Sequence, residues 1–154
     1  GNTVVLKPSE LTPLTSIVLA ILAERAGLPK GVVNILAGYG ATSGQVALAH
    51  PAVRKVVFVG SVATGRLIAE TCGRQLIPCT LELGGKDAMI VCEDADLDRA
   101  AAGAIVGSCM NTGHYCCGTE RIYVVEKVYD AFLAKVIEGA RKLRQGNALG
   151  QATQ

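Results

Sequence analysis

Near the middle of the chain the sequence reads Leu81-Glu82-Leu83-Gly84-Gly85-Lys86, a carboxylate between leucines followed by two glycines. The residues around Glu82 are typical of a strand. A charged carboxylate is costly to bury among apolar side chains, so Glu82 either faces the surface or is held there for a chemical purpose. Two adjacent glycines permit backbone angles and close approaches that side chains prevent. We therefore expect a strand that ends in a hinge at Gly84-Gly85.

The alternation of element types extends outward from this stretch in both directions. The strands are predicted at residues 3–7, 32–36, 55–59, 78–83, 88–92 and 121–125. The helices are predicted at about 13–26, 43–49, 61–72, 97–108 and 128–143, the first with Thr12 as N-cap and Pro13 as its first residue. The strands lack polar alternation, which is typical of parallel sheets covered by helices on both faces. The sequence therefore predicts an α/β fold with a doubly wound, mainly parallel sheet.

Composition and charge exclude several classes of partner. Half of the 154 residues are hydrophobic, which is enough for a sizeable core. The net charge of +2 comes from 15 basic and 13 acidic residues without a long basic run. This gives no reason to expect nucleic acid or an anionic membrane as partner. The longest apolar stretch, residues 17–23, is too short to span a bilayer.

The first residues and the cysteines bear on origin and compartment. The chain opens on Gly1-Asn2-Thr3, without a basic start and an apolar segment of a secretory signal, and a strand follows almost at once. We expect it to be a piece of a longer protein. The six cysteines show neither zinc-site spacing nor a disulfide framework, so reduced thiols in the cytoplasm are the expectation.

A glycine-bounded loop, Gly60 to Gly65, follows a predicted strand and opens a predicted helix. Backbone N–H groups and the helix dipole at such a junction make an anion site suited to a pyrophosphate. The loop lacks the Lys-Ser/Thr of a Walker A site and the GxGxxG of an ordinary dinucleotide fold. A plain structural turn is the alternative.

A second candidate lies at Lys7-Pro8-Ser9-Glu10, at the carboxyl end of the first predicted strand. Open α/β sheets bind their ligands at this edge. Lys7 and Glu10 could hold the two hydroxyls of a ribose, in the way that acidic residues do in NAD sites. The alternative is a solvated loop that caps a helix.

Cys116 follows a polar loop with one glycine, residues 111–115. A thiolate is a good nucleophile, and His114 or a helix terminus could favour that form. Most cysteines are small core residues instead, and Cys72, Cys79, Cys92 and Cys109 are interpreted in that way. A metal site at His114, Cys116 and Cys117 is the third alternative, disfavoured because no second ligand cluster exists.

Three alternate aspartates, Asp94, Asp96 and Asp98, imitate the start of a calcium-binding loop. The sixth position of that loop would be Arg99 rather than Gly, and the twelfth would be Ile105 rather than Glu. Helix capping by Asp96 is the better interpretation.

Taken together, four motifs resemble the aldehyde dehydrogenase superfamily, and the resemblance covers nearly the whole chain. They are the opening residues 1–10, the Gly60 to Gly65 loop, the stretch 81–86 and the glycine loop that leads to Cys116. The resemblance implies a cofactor-binding domain, here residues 1–85, joined to the first part of an α/β catalytic domain, here residues 86–154.

The resemblance also implies the chemistry. Cys116 matches the nucleophile that attacks an aldehyde carbonyl to give a thiohemiacetal and then a thioester, and its own backbone N–H contributes to the oxyanion hole. Glu82 matches the general base that activates water to hydrolyse the thioester. Because branches that transfer the acyl group elsewhere do not need this base, hydrolysis to the free acid is expected.

The implied cofactor is NAD rather than NADP, since a 2′-phosphate would meet the carboxylate of Glu10. The other implied partner is a small-molecule aldehyde, and a homo-oligomer is expected for the full-length enzyme. No metal is expected. The implied cofactor-binding residues are Lys7, Ser9, Glu10, Gly40, Gly44, Phe58, Gly60, Ser61, Gly65, Leu83 and Gly84.

The sequence departs from the family pattern at two places. His114 follows Gly113 at the position where the family commonly has Gln, and Tyr115 separates His114 from Cys116. This departure is expected to alter the mouth of the substrate tunnel. The family's enzymes are much longer, with an upstream Asn that completes the oxyanion hole and downstream residues that position the nicotinamide. We therefore expect the isolated chain to be inactive, and the alternative is a non-catalytic nucleotide-binding or structural product.

Overall fold

A computed structural model describes residues 1–150, and strands alternate with helices along them. The strands are β1 (Val4–Leu6), β2 (Val33–Ile35), β3 (Val56–Gly60), β4 (Cys79–Leu83), β5 (Asp87–Val91) and β6 (Thr119–Val124). The α-helices are α1 (Leu14–Arg25), α2 (Gln45–Ala49), α3 (Val62–Gln75), α4 (Leu97–Cys109) and α5 (Glu126–Arg141). A π-helical turn, Gly40–Gly44, precedes α2. The alternation confirms the predicted α/β class.

The strands pair as three two-stranded sheets, β1 with β2, β3 with β4 and β5 with β6. The first and third pairs are parallel, with Val4 opposite Val33 and Asp87 opposite Thr119. Parallel neighbours need a crossover connection, which α1 and α4 supply. Within residues 1–150 the described strands pair two by two, and the parallel direction of these two pairs agrees with the predicted, mainly parallel α/β fold.

Two compact units divide the chain, one spanning Gly1–Glu82 and the other beginning at Leu83. The division falls inside β4, at the carboxylate of the 81–86 stretch. The assignment of residues 1–85 to a cofactor domain and 86–154 to a catalytic domain stays a prediction.

Helix α1 in the first unit differs from its prediction at its start. Pro13 occupies the N-cap position without a capping side chain, so the expectation for Thr12 is wrong. Ser9 organises this turn instead, because its carbonyl accepts from the Thr12 N–H at 3.2 Å and its hydroxyl accepts from the Leu11 N–H at 3.2 Å. Thr12 is held in that turn and does not cap the helix.

The apolar residues of α1 do not form a single buried stripe. No residue of the helix is buried, and Leu14 and Leu19, which are not on the same face, are both exposed. Amphipathic helices carry polar residues opposite the apolar stripe, whereas α1 is apolar nearly all round. No helix within residues 1–150 is long and apolar enough to cross a membrane.

The second unit has the best-defined core. Val91 at the end of β5, Ala101 and Ala104 on α4 and Phe132 on α5 are buried together. The small residues Ala101 and Ala104 of α4 let α5 pack closely. Asp96 caps α4 by accepting from the N–H groups of Asp98 and Arg99, which confirms capping rather than calcium binding.

The core of the second unit gives a first testable prediction. Phe132 is 4% exposed, so Phe132→Ala should lower the free energy of unfolding by about 3–5 kcal/mol through lost burial and the cavity left behind. Its neighbour Leu133 is 38% exposed, and Leu133→Ala should cost less than half as much. Urea unfolding followed by circular dichroism measures both changes. Equal losses would show that Phe132 is not the centre of this core.

Candidate active site

The parallel register of β5 and β6 brings two predicted motifs to one edge of their sheet. Strand β5 begins at Asp87, directly after Gly84-Gly85-Lys86, and β6 begins at Thr119, soon after Cys116. Because Asp87 lies opposite Thr119, the segments that lead into the two strands are neighbours. A Cβ at position 85 would lie 3.7 Å from the Cys116 carbonyl oxygen. Gly85 therefore lies close to the backbone of the candidate nucleophile.

Polar contacts fix this edge. Arg121 donates a hydrogen bond of 2.6 Å to the Lys86 carbonyl oxygen, and the Lys86 ammonium pairs with the Glu120 carboxylate. The register shifts between Asp87 and Ala88, which pair with Thr119 and Arg121, so Glu120 is the extra residue of a β-bulge. The ion pair is exposed and contributes little stability, whereas the bond to the carbonyl holds the backbone of residue 86 against β6.

Cys116 and Cys117 occupy the centre of a tight turn. The Gly118 N–H donates to the Tyr115 carbonyl at 3.2 Å, and both thiols are exposed. Gly118 is buried, and a Cβ there would lie 3.3 Å from the Tyr115 carbonyl oxygen. Within residues 1–150 the Cys116 N–H has no hydrogen-bond partner, so it is available to a ligand oxygen.

The backbone before this turn is left-handed over three successive residues. The φ angles are 50° at Asn111, 57° at Thr112 and 76° at Gly113. The left-handed region costs a non-glycine residue about 1–2 kcal/mol, and Asn tolerates it better than the β-branched Thr. Asn111 accepts from the His114 N–H at 3.0 Å and donates from Nδ2 to the His114 carbonyl at 3.1 Å. These two bonds hold the strained turn in place.

Glu82 is exposed on β4, between the half-buried side chains of Leu81 and Leu83. The surface-facing alternative is therefore the one that the structure supports for this carboxylate. Gly84 is also exposed, and a Cβ there would meet nothing within 4 Å. That Glu82 acts together with Cys116 stays a prediction.

The structure brings Lys7, Glu10 and Gly44 together in the first unit. The Lys7 ammonium lies 3.8 Å from the Glu10 carboxylate and donates to the carbonyls of Pro8 at 2.6 Å and Gly38 at 2.8 Å. A Cβ at Gly44 would lie 3.3 Å from the Lys7 stem. The lysine is thus anchored by the protein itself, while the Glu10 carboxylate is 46% exposed and can accept hydrogen bonds from a ligand.

Two of the predicted cofactor residues have structural roles beside this cluster. The Ser9 hydroxyl accepts from the Leu11 N–H, so it is engaged in the turn before α1. Gly40 begins the π-helical turn that ends at Gly44. Their binding of a cofactor stays a prediction.

The start of α3 carries the other predicted cofactor residues. Ser61 is the N-cap, and its hydroxyl accepts from the Thr64 N–H at 3.2 Å. A Cβ at Gly60 would lie 2.6 Å from the Phe58 ring, so this ring excludes any side chain at position 60. Gly65 is buried one turn into the helix. The exposed, positive end of a 14-residue helix is compatible with a phosphate group.

The remaining cysteines differ in burial, and Cys79 on β4 is half-buried. Cys72 is buried, as predicted, and burial together with the neighbouring Cys79 raises the pKa of its thiol. Cys92 and Cys109 are exposed, so their interpretation as core residues is wrong; Cys92 follows the end of β5, and Cys109 ends α4. Residues 1–150 hold no group of three or more His, Cys, Asp or Glu side chains that could bind a metal ion.

Sequence reasoning missed two residues that shape this edge. Arg121 acts through strand register, which a single sequence does not reveal. Asn111 carries a detectable signal, because Asn tolerates the left-handed backbone of a turn.

Comparisons with known proteins show the family to which the chain belongs. The sequence model of the aldehyde dehydrogenase family matches residues 1–154 of this chain, and the chain belongs to that family. Over 153 residues it is 48% identical to a mitochondrial aldehyde dehydrogenase of Leishmania tarentolae, an alignment that covers 97% of this chain and 31% of that protein. The chain thus spans about a third of the length of such relatives.

Solved structures show the same fold. An NADP-dependent enzyme of E. coli superimposes with a TM-score of 0.96 at 40% identity, covering 98% of this chain and 31% of that one. An aldehyde dehydrogenase of Bacillus cereus, solved as its NAD+ complex, gives a TM-score of 0.95 at 38% identity, with 99% and 31% covered.

The two cysteine environments predict different rates of alkylation. With iodoacetamide at neutral pH, Cys116 should react at least about tenfold faster than Cys72, because it is exposed whereas Cys72 is buried with a raised pKa. Peptide mass spectrometry of the native chain measures both rates. In concentrated urea the difference should disappear, which is the control, and similar rates in the native chain would contradict the assignment.

Proposed function

We propose that this chain forms the central part of an enzyme that oxidises an aldehyde to a carboxylic acid with NAD. The observation that carries the proposal is the Cys116 turn, which presents an exposed thiol and a free N–H beside Gly85. Membership of the aldehyde dehydrogenase family supports the reaction class.

The first step uses the two groups that Cys116 presents. Its thiolate Sγ attacks the aldehyde carbonyl carbon and forms a thiohemiacetal. The carbonyl oxygen gains negative charge as the bond forms, and the unpaired Cys116 N–H donates to it. A donor that is already oriented stabilises this charge without the cost of reorganising solvent.

The second step uses Glu82. Loss of hydride from the thiohemiacetal carbon leaves a thioester on Cys116. Glu82 takes a proton from a water molecule, which attacks the thioester carbonyl and releases the acid, so that the Cys116 thiolate is restored. Glu82 lies on β4, two residues before Gly84-Gly85, and a Cβ at position 85 would lie 3.7 Å from the Cys116 carbonyl oxygen. This connection along the chain supports its assignment as base.

The first unit supplies groups that fit a dinucleotide. The exposed Glu10 carboxylate can accept from ribose hydroxyls while Lys7 holds the loop, and the Ser61 end of α3 can receive a phosphate. When bound, the dinucleotide supplies the acceptor for the hydride. Related structures include an enzyme described as NADP-dependent and another solved with NAD+, and the Glu10 carboxylate favours NAD for this chain. A cytoplasmic location of the protein and a homo-oligomeric state of the full-length enzyme stay predictions.

Two variants separate the proposed roles of Cys116 and Glu82. The chain is grafted in place of the matching segment of the Leishmania tarentolae relative, and NADH formation is followed by stopped flow. Cys116→Ser should abolish the first turnover, a loss of at least about 10³-fold. Glu82→Gln should preserve the first turnover and slow later ones about 10²-fold, because only hydrolysis needs the base.

Matched controls are available in the same unit as the nucleophile. Cys117→Ser removes the adjacent exposed thiol, and Glu93→Gln removes an exposed carboxylate that pairs with Lys127 at 3.3 Å. Both should leave the kinetics within about twofold of the parent. A first turnover that survives Cys116→Ser would overturn the proposal, and loss of the burst in Glu82→Gln would remove Glu82 from the hydrolytic step.

Glu10 gives a prediction about the cofactor. Glu10→Gln should lower the preference for NAD over NADP about tenfold in kcat/KM, because the carboxylate no longer repels a 2′-phosphate. Steady-state rates of the grafted enzyme with each cofactor measure the ratio. Glu24→Gln, which removes an exposed carboxylate of α1 that pairs with Lys30, is the control. An unchanged ratio in Glu10→Gln would refute the ribose assignment.

A further inference from the structure

The strained turn before Cys116 has two anchors that the proposed chemistry does not use. Three successive residues, Asn111, Thr112 and Gly113, have positive φ angles. Consecutive left-handed residues are rare, and strain of this kind persists only where the surroundings determine it. Such strain concentrates at functional sites, so what holds this turn deserves a functional explanation.

The first anchor is Asn111, which brackets His114 from both sides. Its carbonyl accepts from the His114 N–H at 3.0 Å, and its Nδ2 donates to the His114 carbonyl at 3.1 Å. Thr112 adds a weaker contact, with its hydroxyl 3.4 Å from the His114 Nδ1. Asn111 therefore sets the orientation of the peptide groups on both sides of His114. Its backbone carbonyl holds the one before His114, and its side-chain amide holds the one after it.

The second anchor is the end of α4. The Ser108 hydroxyl donates to the Thr119 carbonyl at 3.0 Å, where the loop returns to β6. A Cβ at Gly113 would lie 3.1 Å from the Ser108 carbonyl, so the left-handed turn packs directly on this helix end. Both ends of the Cys116 loop are thereby tied to the same turn of α4.

We propose that Asn111 is a positioning residue that aims the Cys116 N–H at the oxygen of the substrate. The peptide group of His114 is separated from that N–H only by Tyr115, whose carbonyl closes the turn around Cys116. Holding His114 fixes the direction in which the next two peptide groups leave, and the free N–H of Cys116 is one of them. The proposal rests on the proposed function of Cys116 as nucleophile.

Two thiol probes distinguish aiming of the N–H from general exposure of the thiol. p-Nitrophenyl acetate acylates a thiolate through an intermediate with a negative oxygen, which an oriented N–H stabilises. The thiolate displaces nitrophenolate, so atoms and charge balance without an oxidant. Iodoacetamide alkylates the same sulfur by displacing iodide, and no oxyanion develops. The ratio of the two rates at Cys116 thus measures the contribution of the N–H.

The variant Asn111→Asp tests the proposal in the full chain. Aspartate tolerates the left-handed backbone and has nearly the same size, but its carboxylate cannot donate to the His114 carbonyl. Acylation of Cys116 by p-nitrophenyl acetate should fall at least about tenfold, while alkylation by iodoacetamide should change less than about twofold. Asn34→Asp in the first unit is the matched control; it removes the same kind of amide donor, which bonds to the carbonyls of Val4 at 3.2 Å and Gly31 at 2.9 Å, and should leave the two rates unchanged.

Peptide mass spectrometry gives both rates at Cys116, with Cys117 as an internal comparison, and thermal unfolding checks that each variant is folded. Equal effects on the two probes, or no effect on either, would overturn the positioning role. If Cys116 of the parent chain is acylated no faster than Cys117, the nucleophile assignment itself fails, and that result is distinguishable because it appears before any substitution at Asn111.

Discussion

The parallel pairing of β5 with β6 is the constraint on which the candidate site depends. Side by side, the two strands must begin at the same edge, and Asp87 opposite Thr119 makes the preceding segments neighbours. Arg121 then fixes the Lys86 carbonyl, and Gly85 lies close to the Cys116 backbone. A shift of one residue would turn every side chain to the other face and separate these segments.

Glycine and strain are placed where the site needs close backbone approach. A Cβ at Gly85 would lie 3.7 Å from the Cys116 carbonyl oxygen, and Gly118 is buried at the end of the tight turn. Asn111 and Thr112 accept unfavourable angles just before it. The core of the same unit, formed by Val91, Ala101, Ala104 and Phe132, is the packed structure that can maintain such strain. The second unit thus combines a firm core with an exposed, backbone-built edge.

The sequence predicts those features that depend on local chemistry. The α/β alternation, the Asp96 cap and the buried Cys72 follow from periodicity, short polar side chains and composition. Features that depend on register or on neighbours do not follow. The bulge at Glu120 appears only once β6 is paired, and Cys92 and Cys109 are exposed although their residue type favours the core. Glu82 and Cys116 match motifs of the family, and their joint action in the reaction is a proposal.

The central claim is that Cys116 carries the acyl group as a thioester and that Glu82 activates the water that hydrolyses it. The most direct test is peptide mass spectrometry of the grafted Glu82→Gln enzyme, quenched in acid after mixing with NAD and an aldehyde. The account predicts that the peptide containing Cys116 gains the mass of the acyl group on Sγ of Cys116. Hydroxylamine should remove this mass, because the bond is a thioester. An acyl group found only on Cys117, or none on either cysteine while NADH is formed, would contradict it.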